Sequence, residues 1–561
     1  MNPKKFFAEL KRRRVYSVAV AYLVGGWALA QGIAQVLPVF DIPNWVVRLT
    51  VLLIVLGFPV ALVLSWFFDL TRYGIVRTPD LDTRSTGIVP SGPASNRVDS
   101  GEKSIAVLPF KDLSLARDHT YFSEGIAEEL LGALAKVDGL RVAARRSSFW
   151  FKDKEAELSE IAGKLNVEHV LEGSVRRDGN RVRITAELID ASDGFTIWSE
   201  TYEREMHGIF ALQDEITRSI VHTLKLKLAI SPSPLSRSTD AYEDYLQGLF
   251  YSDKSTQNAL RRSLEFFQRA LEKDPKFNRA WTGIAKAWLW LADAYVPPLE
   301  AYPKVRDAAA RALQLSDDEA EAHVYLAESR RILDWDLDGA EAEFNRAVEI
   351  DPNSTPSNYF IAALHAARGN REQALTYLQR TSKIDPASLW VSNFACELYR
   401  YFGLNDEAIA AGERALQLDP AFLYGEPLLA ALYREMGRFD EAIALYQKAQ
   451  SFTGKPGFGL AITYGRMDRR KEAQEILEAA VASRPYTPGD AIAHVHVALG
   501  AYDDAIRELE RACNERSSSL HMVGISPEFI PLRSDKRFIS LLKKIGLEPE
   551  KVFTASRHHQ G

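Results

Sequence analysis

FNRAVEIDPNS at 344–354, LQRTSKIDPAS at 378–388 and GERALQLDPAF at 412–422 are three copies of one phrase, each 34 residues after the last. Each copy contains an Asp-Pro step, at Asp351-Pro352, Asp385-Pro386 and Asp419-Pro420. A small residue stands at a fixed offset ahead of it: Ala347, Thr381, Ala415, then Ala449 where the Asp-Pro is lost. Proline cannot continue a helix and pushes the residue before it out of the helical region, so each phrase reads as a helix end. A fixed period of this length means stacked helix pairs, none able to bury its apolar face alone. What such an array produces is surface.

Working outward, eight helix pairs can be placed over 240–515, behind a Ser/Pro-rich hinge at 229–239 that contains SPSPLSRST. They match the tetratricopeptide (TPR) pattern. Trp281, Ile284, Ala285 and Trp288 fit the first helix of the second pair. Ala340, Phe344 and Ala347 fit the second helix of the third, and Ala442, Tyr446 and Ala449 that of the sixth. Small residues are needed where helices pack closely, and aromatics fill the gaps between pairs. Tyr295 to Pro298 form an insertion in the second pair, and the seventh, at about 457–485, is short and glycine-rich. Residues 516–561 read as a capping segment and tail, with 527–547 as the helix that closes the apolar end. By repeat phase, Tyr325, Tyr359, Trp390, Asn393, Glu397, Arg400, Tyr424 and Arg434 are expected on the concave face. Aromatics and arginines are common anchors in protein interfaces, so the expected partner is a protein bound in this groove.

The chain opens differently. Lys4, Lys5 and Lys11 to Arg14 make residues 1–14 basic, and 15–37 then carry no charge over about the length a bilayer core requires. A second apolar stretch, 45–68, is broken only by Arg48. The two predict a transmembrane hairpin over 15–72. The lysine and arginine bias puts both ends, and everything after them, on the cytoplasmic side of a bacterial inner membrane. Residues 73–103, rich in Pro, Gly, Ser and Asp, read as a flexible linker.

Order resumes at Ser104 to Phe110, a short apolar strand, and Ser123 starts a helix with Ile126, Leu130, Leu131 and Leu134 on one face. Asp178-Gly179 marks a hairpin flanked by Val175 and by alternating Val182, Ile184, Ala186 and Leu188. Residues 104–228 thus predict a βαβαβββα domain of the α+β class. Arg145 to Ser148, with Arg176 and Arg177, offer an anion site, but read first as a solvated strand end and a hairpin tip.

Here the stretches SIAVLPFKDLS, YFSEGIAEELLGALAKV, VAARRSSFWFK, LEGSVRRDGNRVRITAELIDASDG, TIWSETYER and IFALQDEI closely resemble a bacterial family. Its members carry a domain similar to the amino-terminal domain of TolB and to the flagellar protein FlgO, commonly followed by TPR repeats and preceded by a membrane hairpin. The resemblance implies an architecture and no defined activity. Some relatives bear an adenylate cyclase or winged-helix domain ahead of the spans; with fourteen residues before the first span, neither is expected here.

Catalysis finds little support. Asp112 follows the first strand, but two-metal phosphoryl chemistry needs a second carboxylate at the same site, and Asp153 and the Asp178 turn lie elsewhere in the pattern. No Gly-rich phosphate loop follows a strand. His494 and His496 lack further ligands at metal spacing, so no metal or cofactor is expected. Two cysteines, Cys396 and Cys513, fit a reducing compartment and buried apolar roles. A net charge of −6 gives no reason to expect nucleic acid. The reading is a multidomain, membrane-anchored interaction scaffold or sensor in signalling or assembly, with self-association left open. The alternatives are a component or remnant of a cyclase-type enzyme and a periplasmic envelope protein.

Overall fold

The computed structural model describes residues 68–71, 74–77, 103–114, 120–206 except 136, 138, 153 and 155, 209–224, 238–418 except 255, and 428–556. The chain divides into two compact units, 1–96 and 97–561. In the first, β1 (Phe68–Thr71) pairs antiparallel with β2 (Gly74–Arg77).

The expected transmembrane hairpin and multi-pass inner-membrane placement are corrected here. Among the described residues no helix is long and apolar enough to cross a membrane. The apolar stretches 15–37 and 45–67 lie outside the described residues. Where the second span was to end, Phe68 instead opens a strand whose hydrogen bonds go across to β2, which a helix end cannot do. The described residues therefore offer a lipid bilayer no spanning segment.

The second unit begins with an α+β domain. It contains β3 (Lys103–Val107), β4 (Lys111–Asp112), α1 (Thr120–Ala135), β5 (Leu140–Val142), α2 (Arg145–Phe149), α3 (Leu158–Leu165), β6 (His169–Asp178), β7 (Arg181–Asp190), β8 (Thr196–Glu205) and α4 (Ile209–Thr223). The sheet order is β5-β3-β6-β7-β8, with β4 also on β6. β3 is parallel to both neighbours, whereas β6, β7 and β8 run antiparallel. Alternation puts Val182, Ile184, Ala186 and Leu188 on one face, all fully buried against α1 and α4. α3 covers Ala106 and Val170 on the other face. The hairpin turn sits one residue later than the Asp-Gly signal: Asp178 pairs with Arg181, and Gly179 takes the positive φ (+58°).

Eight helix pairs follow: α5 (Thr239–Ser252) with α6 (Gln257–Lys273), α7 (Asn278–Leu291) with α8 (Pro298–Leu315), α9 (Ala320–Leu333) with α10 (Leu337–Ile350), and α11 (Thr355–Ala367) with α12 (Arg371–Ile384). Then come α13 (Leu389–Tyr401) with α14 (Asn405–Leu418), α15 (Leu428–Glu435) with α16 (Phe439–Thr453), α17 (Phe458–Arg466) with α18 (Arg470–Ala482), and α19 (Gly489–Ala498) with α20 (Tyr502–Glu515). The phrase DPNS shows how four residues switch one helix off and the next on. Asp351 is the C-cap of α10 in extended backbone, and Ser354 accepts the Ser357 N–H as N-cap of α11. DPAS repeats the device, with Asp385 ending α12 and Ser388 capping α13.

The C-terminal segment has 3-10 turns at Ser518–Met522 and Pro527–Leu532, then α21 (Lys536–Lys544) and α22 (Pro549–Ala555). It packs on the last pair, where Arg537 meets Asp503 at 2.8 Å, but it also lies across the middle of the superhelix. His521 meets the Trp335 ring edge-on at 4.9 Å, and a Cβ on Gly369 would come within 2.9 Å of the Lys551 carbonyl. Leu520, Val523, Ile525, Phe529 and Phe538 are fully buried in the same core cluster as helices α8 to α13. Gross apolar burial from five such side chains is on the order of 10 kcal/mol. The superhelix closes around its own tail as a structural plug, not a loosely held lid.

Candidate functional site

The short helix α2 carries the α+β domain into the solenoid. Just beyond β5 the chain leaves the sheet, and the Ala144 N–H reaches the Ile384 carbonyl at 3.4 Å. Ser147, fully buried, donates to the Asp385 carboxylate and accepts the Ala387 N–H at 2.8 Å. Trp150 Nε1 donates to the Leu418 carbonyl at 3.3 Å. On the opposite side Arg145 meets Glu128 at 2.9 Å and Asp253 of the first helix pair at 2.5 Å.

Arg146 points at two indoles. Its guanidinium carbon is 5.7 Å from the Trp290 ring centre and 5.8 Å from that of Trp390, and the two rings are 5.1 Å apart. These contacts wall a cavity of about 250 Å³ between the domain and the inner helices of the second to fifth pairs. Tyr325, Tyr359, Thr355 and Asn353 line the rest of it, with Lys286 and Asp351.

The electrostatics are those of a partly dry site. Burial pushes Glu128 up to about 7, against the pull of Arg145. Burial opposes ionisation of Asp253 too, but Arg145, Lys286 and Arg146 together hold it below the usual carboxylate range. Burial likewise raises Asp385, while the Ser147 hydroxyl stabilises its charge.

The predicted groove residues fall into two groups. Tyr325, Tyr359 and Trp390 come together at the cavity, Tyr325 donating to Glu321 at 2.8 Å and Tyr359 packing 4.1 Å from the Phe394 ring. Arg400 and Arg434, one repeat apart, both hold Glu528 of the C-terminal segment, at 2.9 and 2.6 Å. Glu397 accepts from Tyr401 at 2.8 Å, and Asn393 is half-buried. Tyr424 lies outside the described residues. At Arg400 and Arg434 the chain's own C-terminal segment is the partner, where the repeat phase alone pictured open surface. Arg145 to Ser148 are correspondingly no solvated strand end. Sequence reasoning missed Trp290, and it read Asp385 only as a helix stop; the Arg-Arg-Ser-Ser run was the available signal.

A second, more open cleft of about 840 Å³ lies over Glu172, Ser174, Thr185 and Glu187 on the other face of the sheet. Asp112 stands at its edge and accepts the Ser114 N–H at 2.9 Å. Among the described residues no group of three His, Cys, Asp or Glu side chains is placed to hold a metal ion. Both cysteines are buried, and burial pushes the Cys396 thiol up to about 12, far from a reactive thiolate.

Residues 101–219 match the family model described as the second domain of HilA/YgeH-like transcriptional regulators. Residues 428–452 match a tetratricopeptide repeat model. The repeats are tetratricopeptide helix pairs. A curated relative, putative adenylate cyclase 3 of Rhizobium meliloti, is 39% identical over 190 residues, which cover 32% of this chain and 32% of that protein. The chain thus spans about a third of the length of that relative. Among solved structures, a thermophilic TPR protein of Thermus thermophilus is 18% identical with a TM-score of 0.29, covering 36% of this chain and all of that one. A tetratricopeptide protein of Parabacteroides merdae is 16% identical with a TM-score of 0.34, covering 48% of this chain and all of that one.

Proposed function

We propose that this chain is a non-catalytic, protein-binding scaffold that works as a sensor in signalling, its solenoid holding the α+β domain in a seat that a protein partner reads. One observation carries the proposal: Arg146 of the α+β domain sits over the touching pair Trp290 and Trp390, so an anchor expected to face a partner is engaged by the chain's own domain. The groove residues Tyr325, Tyr359 and Trp390 are then the seat, while Arg400, Arg434 and Glu397 belong to the plugged part of the same groove. The match to a regulator's second domain and the relative named as a cyclase both fit an accessory domain that serves signalling modules.

The test places a photo-crosslinking residue at position 359 in the wild-type chain and in Arg146→Glu. Hydrogen exchange across 144–150 reports whether α2 is seated. A partner captured at position 359 only when α2 is unseated supports the reading. Identical captures from both chains, with α2 unseated in the variant, would show that the seat is not what the partner reads.

A further inference from the structure

We propose that the cavity at the seat is a binding site for a small planar aromatic carboxylate of one or two rings, with Arg146 as its anion anchor and Trp290 and Trp390 as its stacking walls. The inference rests on the seat described above and adds a ligand to it.

The charge inventory of the wall comes first. Each acid there already has a donor. Glu128 and Asp253 share Arg145 at 2.9 and 2.5 Å, and Lys286 stands 3.8 Å from Asp253. Glu321 accepts from Tyr325 at 2.8 Å, Asp351 accepts the Asn353 N–H at 2.9 Å, and Asp385 accepts from Ser147. Arg145 and Lys286 are likewise spent. Arg146 differs: it acts on Asp253 and Asp385 only through space, and among the described residues its guanidinium makes two ring contacts but no hydrogen bond or close ion pair, leaving its N–H fork for a ligand. A guanidinium with no hydrogen bond to its surroundings can turn its planar edge to a carboxylate and hold it in two parallel hydrogen bonds. The Thr355 hydroxyl, also in the wall, has no hydrogen-bond partner and can serve a second polar group.

Shape and size narrow the class further. Two indoles at 49° to one another, with Tyr325 and Tyr359 beside them, offer π surface to a flat ring. A cavity of about 150 Å³ holds benzene, so about 250 Å³ suits one or two rings with a carboxylate. A nucleoside triphosphate would need several free cations, and the wall supplies one among the described residues. A cationic ring would meet acids that are already paired and an arginine that repels it.

Calorimetric titration of the full chain with indole-3-carboxylate, neutral indole and cationic tryptamine tests this. Indole-3-carboxylate should bind saturably, indole more weakly, and tryptamine not at all. Arg146→Met should weaken the carboxylate at least about tenfold, as loss of a charged hydrogen bond requires. Arg146→Lys should fall between, since it keeps the charge without the fork. Hydrogen exchange across 144–150 shows separately whether α2 stays seated in each variant. No binding at millimolar carboxylate to a wild-type chain with α2 seated would overturn the ligand and leave the scaffold reading standing. So would tryptamine binding as tightly, or an unchanged affinity in a seated Arg146→Met. A wild-type chain whose α2 exchanges freely would instead sink the seat itself.

Discussion

Ser147 donates its hydroxyl hydrogen to the carboxylate of Asp385, a residue 238 positions further along the chain, inside the second of the three Asp-Pro steps. One aspartate therefore does two things. Its backbone ends α12, and its side chain receives the α+β domain.

This bond should be visible as coupling. Ser147→Ala and Asp385→Ala should each cost about 1–3 kcal/mol, because each leaves a buried polar group without its partner. The double variant should cost less than the sum, by about 1 kcal/mol or more. Urea unfolding followed by near-ultraviolet dichroism measures it, and strictly additive losses would mean the two side chains do not act on each other.

The plug predicts a larger effect at Glu528. Replacing it with Gln leaves the buried guanidinium of Arg434 facing a neutral amide, and Arg400 keeping only Glu435. Stripping one partner from a buried ionic cluster costs about 3–5 kcal/mol. Adding Arg434→Met to Glu528→Gln should recover part of that loss. A denaturation midpoint for Glu528→Gln within experimental error of wild type would show the cluster to be energetically idle.

Domain boundaries follow from α1 and α5. Leu246 packs against Gly125 so closely that a Cβ there would lie 2.5 Å from its methyl, and Gln213 donates to Tyr242 at 2.6 Å. Arg279 meets Glu129 at 2.5 Å. The sequence pattern predicts that 104–228 folds alone. The packing predicts instead that a fragment ending at 228 exposes this face, binds hydrophobic dyes and melts broadly, whereas one extended through α7 melts sharply. Equal, sharp melting of both fragments would count against it.

Asp293 predicts a pH dependence. Burial raises it from 3.8 to about 7 in the fold, with the Ser518 N–H 3.4 Å away. An acid with a raised folded-state value binds more protons folded than unfolded, so it favours folding at low pH. That contribution is present below about 4 and is lost as pH rises toward 7. Asp293→Asn should remove it, on the order of 2 kcal/mol, less than the full shift implies because the side chain keeps some contact with water. Stability measured from pH 4 to 7 should fall less steeply in the variant, and parallel curves would refute the assignment.

By itself the sequence determined most of what depends on neighbours in the chain. Spacing every 34 residues, an Asp-Pro stop and small residues at Ala340, Ala347, Ala442 and Ala449 act within a turn or two of their own helices, and so the repeats were legible. Much of the α+β domain was legible for the same reason, since alternation at Val182 to Leu188 belongs to one strand, but the two-residue β4 and the short helix α2, which the predicted βαβαβββα order lacks, were not. The strand pair at Phe68–Arg77 was not legible, because apolar composition at its start suits a helix end equally well, whereas the pairing depends on which strand lies opposite. What fills the groove was decided only by tertiary structure. Arg146 and Trp390 are 244 positions apart in number, and Arg400 and Glu528 are 128 apart. A local pattern can say that an arginine or an indole faces inward, but burial and pairing energies choose its partner, and those act through space.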